Sequence, residues 1–355
     1  MSSEPARRSE VLRRVEMVRA LTEARGGTAA LLWSRRTFAW LTLGGLNHVA
    51  IGTETGAAPL LVTGRDVVAI SPNIEAGRLA TEELAGLPIE AVAVPWWEPE
   101  AISSEAVRRA GGPLLTDADL EDGLVPVRSR LGDIEQDRMV AIGAAVATAL
   151  DGALRAVADG TTESELVALL EARLAGFRTP VLLSAADERI ERFRHPLPTG
   201  APIRRRVMLV VVAERWGLHV AATRFRELVP PAAPLAATIE ATRRVEAAIH
   251  GATRPGATLG EAFDAARAAY AAEGVPDEWK LHHQGGTIGY QGRERIAVPG
   301  DPTRIEPGMA FAWNPSITGA KAEDTFVLDA SGARRLVTVA PIEPQRVSND
   351  RFERP

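Results

Sequence analysis

The sequence predicts an α/β (α+β) protein made of two domains, and three observations carry that prediction. The chain has 355 residues, more than a single core usually organises. Its first third alternates short apolar runs, bounded by turn residues, with stretches of helical period. Near residue 128 the composition becomes alanine-rich and helical before strand-like runs return. The domains are therefore expected over 1–128 and 129–345, with a loosely held tail over 346–355.

In chain order, Val11, Leu12, Val15, Val18 and Leu21 recur at helical spacing and Gly26-Gly27 ends the pattern, so the chain opens on an amphipathic helix. From Ala29 to Ile70 five short runs (AALLW, FAWLTL, HVAIG, PLLVT, DVVAI) read as five strands. Asn73 to Leu87 returns to helical period, AVAVPWW is a strand, Ser103 to Gly111 a short helix and PLLTD a strand. The segment LEDGLVPVRSRLGD has no periodicity and reads as the linker.

Beyond it, Ile134 to Ala158 is a long helix. Thr162-Glu163-Ser164-Glu165 has the spacing of a capping box, which starts a second helix. Strands are expected at TPVLLSA, VMLVVVAE and GLHVAATRF, helices at Leu235–His250 and Leu259–Ala272, and strands again at KLHHQGGTIGY, GMAFAWNPSI, DTFVLDASG and ARRLVTVA. The helix–helix–strand order occurs twice within 134–340, which is compatible with a duplicated unit.

Composition narrows the chemistry. With no cysteine there is no disulfide, thiolate metal site or cysteine nucleophile. A net charge of −5, with both signs interspersed, lacks the basic face that nucleic acid requires. No apolar run is long enough to cross a bilayer, and the first residues are studded with charge, so a cytoplasmic protein without membrane contact is expected. Phosphate-binding loops, nucleophile elbows and H-E-x-x-H helices are missing.

Unusual residues concentrate in three stretches: Glu191 to Thr199, Trp279 to Glu294 and Phe311 to Thr325. They hold three of the six histidines and both of the chain's lysines, Lys280 and Lys321. His195 has the ring for acid–base work near neutral pH. His282 and His283, read as strand neighbours, are expected to point to opposite faces, so that only one lines a given pocket. Lys321 and Glu323 share a face if extended, with Asp324 on the other. Each feature also has a plainer reading, as a loop histidine, a structural histidine or a solvated hairpin charge pair.

These stretches, in this order, resemble the pita-bread family of creatinase, aminopeptidase P and prolidase over nearly the whole chain. The most specific points are G-L-H-V-A-A-T-R-F at Gly217–Phe225, the glycine-rich Gly285–Glu294, Pro307-Gly308-Met309 leading to Asn314-Pro315, and Gly319–Thr325 ending in E-D-T. The resemblance implies a creatinase-type N-terminal α/β domain followed by a pita-bread catalytic domain. Metallopeptidases of the family hold two divalent ions with two aspartates, a histidine and two glutamates. The matching positions here are Val210, Ala221, Gly286, Asn314 and Glu323, so the resemblance implies that four of the five ligands are lost.

Creatinase, as a family precedent, cleaves a C–N bond without metal by means of a histidine, which His195 in F-R-H-P resembles. The expected function is accordingly a metal-independent, creatinase-like hydrolase of a small amino-acid-derived or amide substrate, with no cofactor. His195, Glu323, His282 and His283 are the expected catalytic residues. Asn314, Trp313, Arg293, Arg224, Lys321 and Tyr290 are expected to bind substrate, with Trp313 and Tyr290 as apolar walls and Glu323 holding a cationic substrate nitrogen. A homodimer is expected from the resemblance, with a small molecule as the other partner. Two alternatives stay open: a pita-bread protein that binds a ligand or peptide without catalysis, and an Xaa-Pro aminopeptidase with a displaced metal site at His282, His283, Glu323 and Asp324.

Overall fold

The computed structural model describes residues 4–340, so the tail expected over 346–355 and the last residues of the second domain lie outside the described residues. Backbone contacts divide the chain into two compact units, the first running to Arg128 and taking in Trp216–Leu218, the second comprising the rest.

The first unit runs α1 (Glu4–Ala24), β1 (Ala29–Ser34), α2 (Arg35–Leu41), β2 (Thr55–Thr63), β3 (Val67–Pro72), α3 (Asn73–Arg78), β4 (Glu90–Val94), α4 (Ala101–Ala110), β5 (Leu114–Thr116) and α5 (Asp117–Arg128). Its sheet has the order β4-β3-β2-β1-β5. The inner pairs β1–β2 and β2–β3 are antiparallel, and the outer strands β4 and β5 run parallel to their neighbours. Leu31, Leu61, Val68 and Ile70 on one face pack against Ala106 and Ala110 of α4.

Three expectations fail in this unit. FAWLTL is not a strand but the body of α2: the Ser34 hydroxyl accepts from the Thr37 amide and caps a helix whose last five residues are all buried. Burial all round erased the polar face that period would have shown. HVAIG lies in the loop between α2 and β2, not in a strand, and the supposed linker forms α5, with Asp117 and Asp119 in its first turn.

The second unit runs α6 (Asp133–Arg155), α7 (Glu163–Arg173), β6 (Arg178–Ala186), α8 (Arg189–Arg192), β7 (Arg206–Arg215), β8 (Leu218–Glu227), α9 (Ala233–Ala252), α10 (Leu259–Ala272), β9 (Gly285–Ile288), β10 (Arg295–Ile296), β11 (Ala310–Trp313), β12 (Ser316–Ile317), β13 (Ala320–Lys321), β14 (Asp324–Leu328) and β15 (Arg334–Leu336). Strands β6-β7-β8 form one sheet and β10-β9-β11-β14-β15 another. The duplication is visible in detail. Each half sets a long helix before a shorter one, and the shorter one starts on a complete capping box, Thr162 with Glu165 and Thr258 with Glu261. Each capping threonine also makes an isolated antiparallel bridge to a later segment, Thr162 to Pro202 and Thr258 to Arg304. Helices α9 and α10 bury Val245, Ile249, Phe263 and Tyr270 against Phe311, Trp313 and Phe326 of the second sheet. That packing leaves the alternate residues of the central strands, among them Thr325, for the opposite face.

Candidate functional site

Four segments of the second unit meet at one polar site. The chain after α8 brings His195, and it is tethered there by its neighbour: the Arg194 guanidinium donates to Glu278 at 2.5 Å, to Thr318 Oγ1 at 2.9 Å and to Ser316 Oγ at 3.2 Å. A 3₁₀ turn over Glu278–Leu281 then delivers His282 and His283. Gln284 fixes this turn by donating to the His282 carbonyl at 2.6 Å, while its own Oε1 accepts from the buried Tyr270 hydroxyl at 2.8 Å. The β12–β13 hairpin carries Lys321 opposite Ser316, and β8 adds Thr223.

The histidines do not alternate as strand neighbours would. They precede β9 rather than lie in it, and their rings stack with centroids 4.5 Å apart and an interplanar angle of 24°. Both therefore face His195, whose Nε2 lies 2.9 Å from Nε2 of His282. Burial, then the positive charge of Lys321, lowers the His195 pKa; burial with the same neighbour pushes His282 down to about 3. Burial and Arg293 push His283 to about 4. At neutral pH all three rings are uncharged.

One nitrogen of each ring falls within 4.8 Å of the others, which could offer a metal three ligands. The His283 tautomer works against it. His283 Nδ1 accepts from the Gly285 amide at 3.2 Å, which puts the neutral ring's proton on Nε2 and leaves no free lone pair.

Glu323 is 3% exposed and its carboxylate is spoken for. Oε2 accepts from Thr223 Oγ1 at 2.7 Å and from Lys321 Nζ at 2.9 Å; Oε1 accepts from Arg293 Nη2 at 2.8 Å. Burial alone would raise its pKa, but Lys321 and Arg293 overcome that and hold it at about 2. This corrects the expected role: the carboxylate orients and is already neutralised by two cations of the chain, rather than standing free to hold a substrate nitrogen.

Other expected residues are placed elsewhere. Arg224 points to the far side of β8, to Asp324 at 2.7 Å and the Thr338 carbonyl at 2.9 Å, because Thr223, one residue earlier, takes the side facing Glu323. Asp324 is thereby also removed from the displaced metal set. Trp313 is fully buried in the helix–sheet core, its indole donating to Thr253 at 3.0 Å, and Tyr290 is 2% exposed, so neither forms a pocket wall. Asn314 is 2% exposed, and its Oδ1 has no hydrogen-bond partner. Lys280 is a surface residue paired with Asp277. The walls are instead those of a shallow, solvent-open cleft lined by His282 and Lys321, which were expected at the site, and by Ile190, Phe193, Arg194 and Met208, which were not. Its enclosed part has room for about one water molecule, so a ligand held there would extend into the open mouth of the cleft.

The positions that resemblance assigns to a metal pair do not fit one. Val210 packs in an apolar cluster with Met208, Ile190 and Leu183, and Ala221 has no donor. At Gly286, with φ +155, a Cβ would lie 2.0 Å from the Arg295 carbonyl oxygen, so no histidine can stand there without moving the backbone. One carboxylate already paired with two cations and one amide remain, which is no dinuclear donor set.

Among solved structures the chain is similar to a dipeptidase from Pyrococcus horikoshii OT3 (20% identity, 92% of this chain and 98% of that one, TM-score 0.78). It is likewise similar to dipeptidase PepE from Mycobacterium ulcerans (19%, 94% and 97%, TM-score 0.75) and an Xaa-Pro dipeptidase from Bacillus anthracis (16%, 94% and 99%, TM-score 0.73). At these identities the likeness shows the fold, the pita-bread α/β architecture. No curated protein sequence matches. No described helix is long and apolar enough to cross a membrane. The profile of metallopeptidase family M24 matches residues 137–331, more than half of the chain, from the first turn of α6 to just past β14, and the chain belongs to that family as a divergent, pita-bread member.

Proposed function

We propose that this member of a hydrolase family cleaves a C–N bond in a small amide or amino-acid-derived molecule without a metal ion. The observation that supports this reading most is the His195–His282 contact, Nε2 to Nε2 at 2.9 Å, in a pocket whose one buried carboxylate is already neutralised by Lys321 and Arg293. Between two neutral rings one Nε2 must carry the proton. We assign that proton to His282, the more buried of the two rings, so that the exposed His195 carries the free lone pair. His195 then presents a lone pair.

A water replacing this contact accepts from His282 and donates to His195, the arrangement for general-base activation. The water oxygen adds to the carbonyl carbon, His195 takes its proton and then passes it to the departing nitrogen, and the C–N bond breaks to acid and amine. The ring does this uncharged at neutral pH, which its lowered pKa secures. A homodimer in the cytoplasm, taking no nucleic acid, is part of the same proposal.

The test is hydrolysis of a panel of small N-acyl amino acids, dipeptides and ureido acids by protein dialysed against chelator. Turnover that survives chelation and disappears in His195→Ala supports the reading. Turnover restored only by a divalent ion, with Xaa-Pro dipeptides as substrates, would replace it by the metallopeptidase alternative.

A further inference from the structure

Resting on that hydrolase reading, we propose that the Lys321 ammonium supplies the positive charge that a divalent ion supplies in metal-dependent hydrolysis, as the donor to the oxyanion formed when water adds to the substrate carbonyl. Three features of the site converge on this residue. Lys321 is one of two lysines in the chain, and unlike the surface-exposed Lys280 its side chain is only 7% exposed. Lysine is rarely buried unless paired, and here the pairing is uneven. Lys321 and Arg293 bring two positive charges to one carboxylate, Glu323, and the three neighbouring imidazoles are neutral at pH 7. The site thus keeps one unbalanced positive charge, on a side chain that is itself buried at the wall of a half-open cleft, where it can meet a developing negative charge on substrate.

Geometry gives that charge an outlet. Lys321 lies on the pocket wall with His282, across the β12–β13 hairpin from Ser316. Its Nζ has three N–H donors, and Glu323 Oε2 at 2.9 Å engages one of them, which leaves donors for a ligand oxygen. When water adds, the carbonyl π pair moves to oxygen and that oxygen accepts from Lys321. When the pair returns, the C–N bond breaks and the nitrogen leaves with the proton from His195. Glu323 is on this view a positioning residue, fixing Lys321 and keeping it charged. An ammonium there and a divalent ion repel, so the site accommodates one or the other.

The experiment combines kinetics with cobalt titration of chelator-treated protein. Lys321→Met is expected to lose about 10²–10³-fold in kcat with KM changed only a few-fold, and Lys321→Arg to recover part of the loss. Co²⁺, followed by its visible absorption, is expected to bind Lys321→Ala at least tenfold more tightly than wild type, because one of the two cations that face Glu323 is then gone and only Arg293 remains. Full kcat in folded Lys321→Met, or equal cobalt affinity in wild type and Lys321→Ala, overturns the assignment. If Lys321→Met does not fold, Lys321→Arg and the cobalt comparison decide. If wild type hydrolyses no amide, the hydrolase reading fails, while the cobalt comparison still decides whether Lys321 is the cation of this site.

Discussion

At His195 two requirements meet, since a shuttle must be uncharged to accept a proton and reachable to deliver it. The residue is exposed, yet burial of the ring's inner side and the charge of Lys321 lower its pKa below 6.5. A base with a lowered pKa stays active further into acid, so kcat/KM should hold through pH 6.5 and fall only below it. His195→Asn should lower kcat about 10²–10⁴-fold and change stability by less than about 0.5 kcal/mol, as at surface positions. A urea melt beside the assay separates the two, and an unimpaired kcat would remove His195 from the mechanism. Glu323→Gln acts in the opposite way. It leaves Lys321 and Arg293 facing each other without a carboxylate, and breaking a buried ion pair costs about 3–5 kcal/mol; a loss below 1 kcal/mol in chemical denaturation would show that the cations find other partners. At this scale the sequence was a good guide to which residues gather and a poor one to what they do. Lys321 and Glu323 share a face as their two-residue spacing implies, but nothing in the sequence reveals that Arg293 and Thr223 engage the carboxylate.

Among elements, those with a mark of their own were legible. The capping box at Thr162 and the glycine-bounded strands are examples, since hydroxyl, carboxylate and turn residues sit at the boundary itself. Elements buried on all sides were not: α2 has the composition of a strand, and only its Ser34 cap betrays it. The His282–His283 pair was misread because its segment is a 3₁₀ exit, in which successive side chains need not alternate. What holds this exit is the clamp from α10, where the Tyr270 hydroxyl donates to Gln284 Oε1 at 2.8 Å and accepts from the Ser316 amide at 2.9 Å. Tyr270 lies on an apolar helix face, and its position in the sequence reads only as core. Tyr270→Phe should cost about 1–3 kcal/mol by orphaning two buried groups. It should also lower kcat more than it raises KM, since the site loses alignment of His282 with His195 rather than a substrate contact. Stability lost without any change in kcat would mean that Gln284 holds the turn unaided.

For the whole molecule, buried ionisable groups set how stability depends on pH, and they oppose one another. His282 is held at about 3, His283 and His250 at about 4, all by burial first. Their unfolded value is 6.5, so their contribution is full above pH 6.5 and is lost as pH falls toward 4. Glu246, on α9, runs the other way. Burial, then the nearby Asp324, raises it from 4.5 to about 7 against the opposing pull of Arg224 and Arg243, and its Oε1 has no partner. Its contribution is full below pH 4.5 and lost as pH rises through 7, because the folded state must then bury a charge that the unfolded chain carries in water. Three histidines against one glutamate give a net stability that rises from about pH 4 to 6.5. Glu246→Gln removes only the opposing slope. The variant should match wild type near pH 4.5 and exceed it by about 1–3 kcal/mol at pH 8, the discounted equivalent of its shift, as read from urea unfolding at the two pH values. A difference that does not change between them would place the Glu246 carboxylate in water, and with it the packing of α9 against the Asp324–Arg224 pair would need to be redrawn.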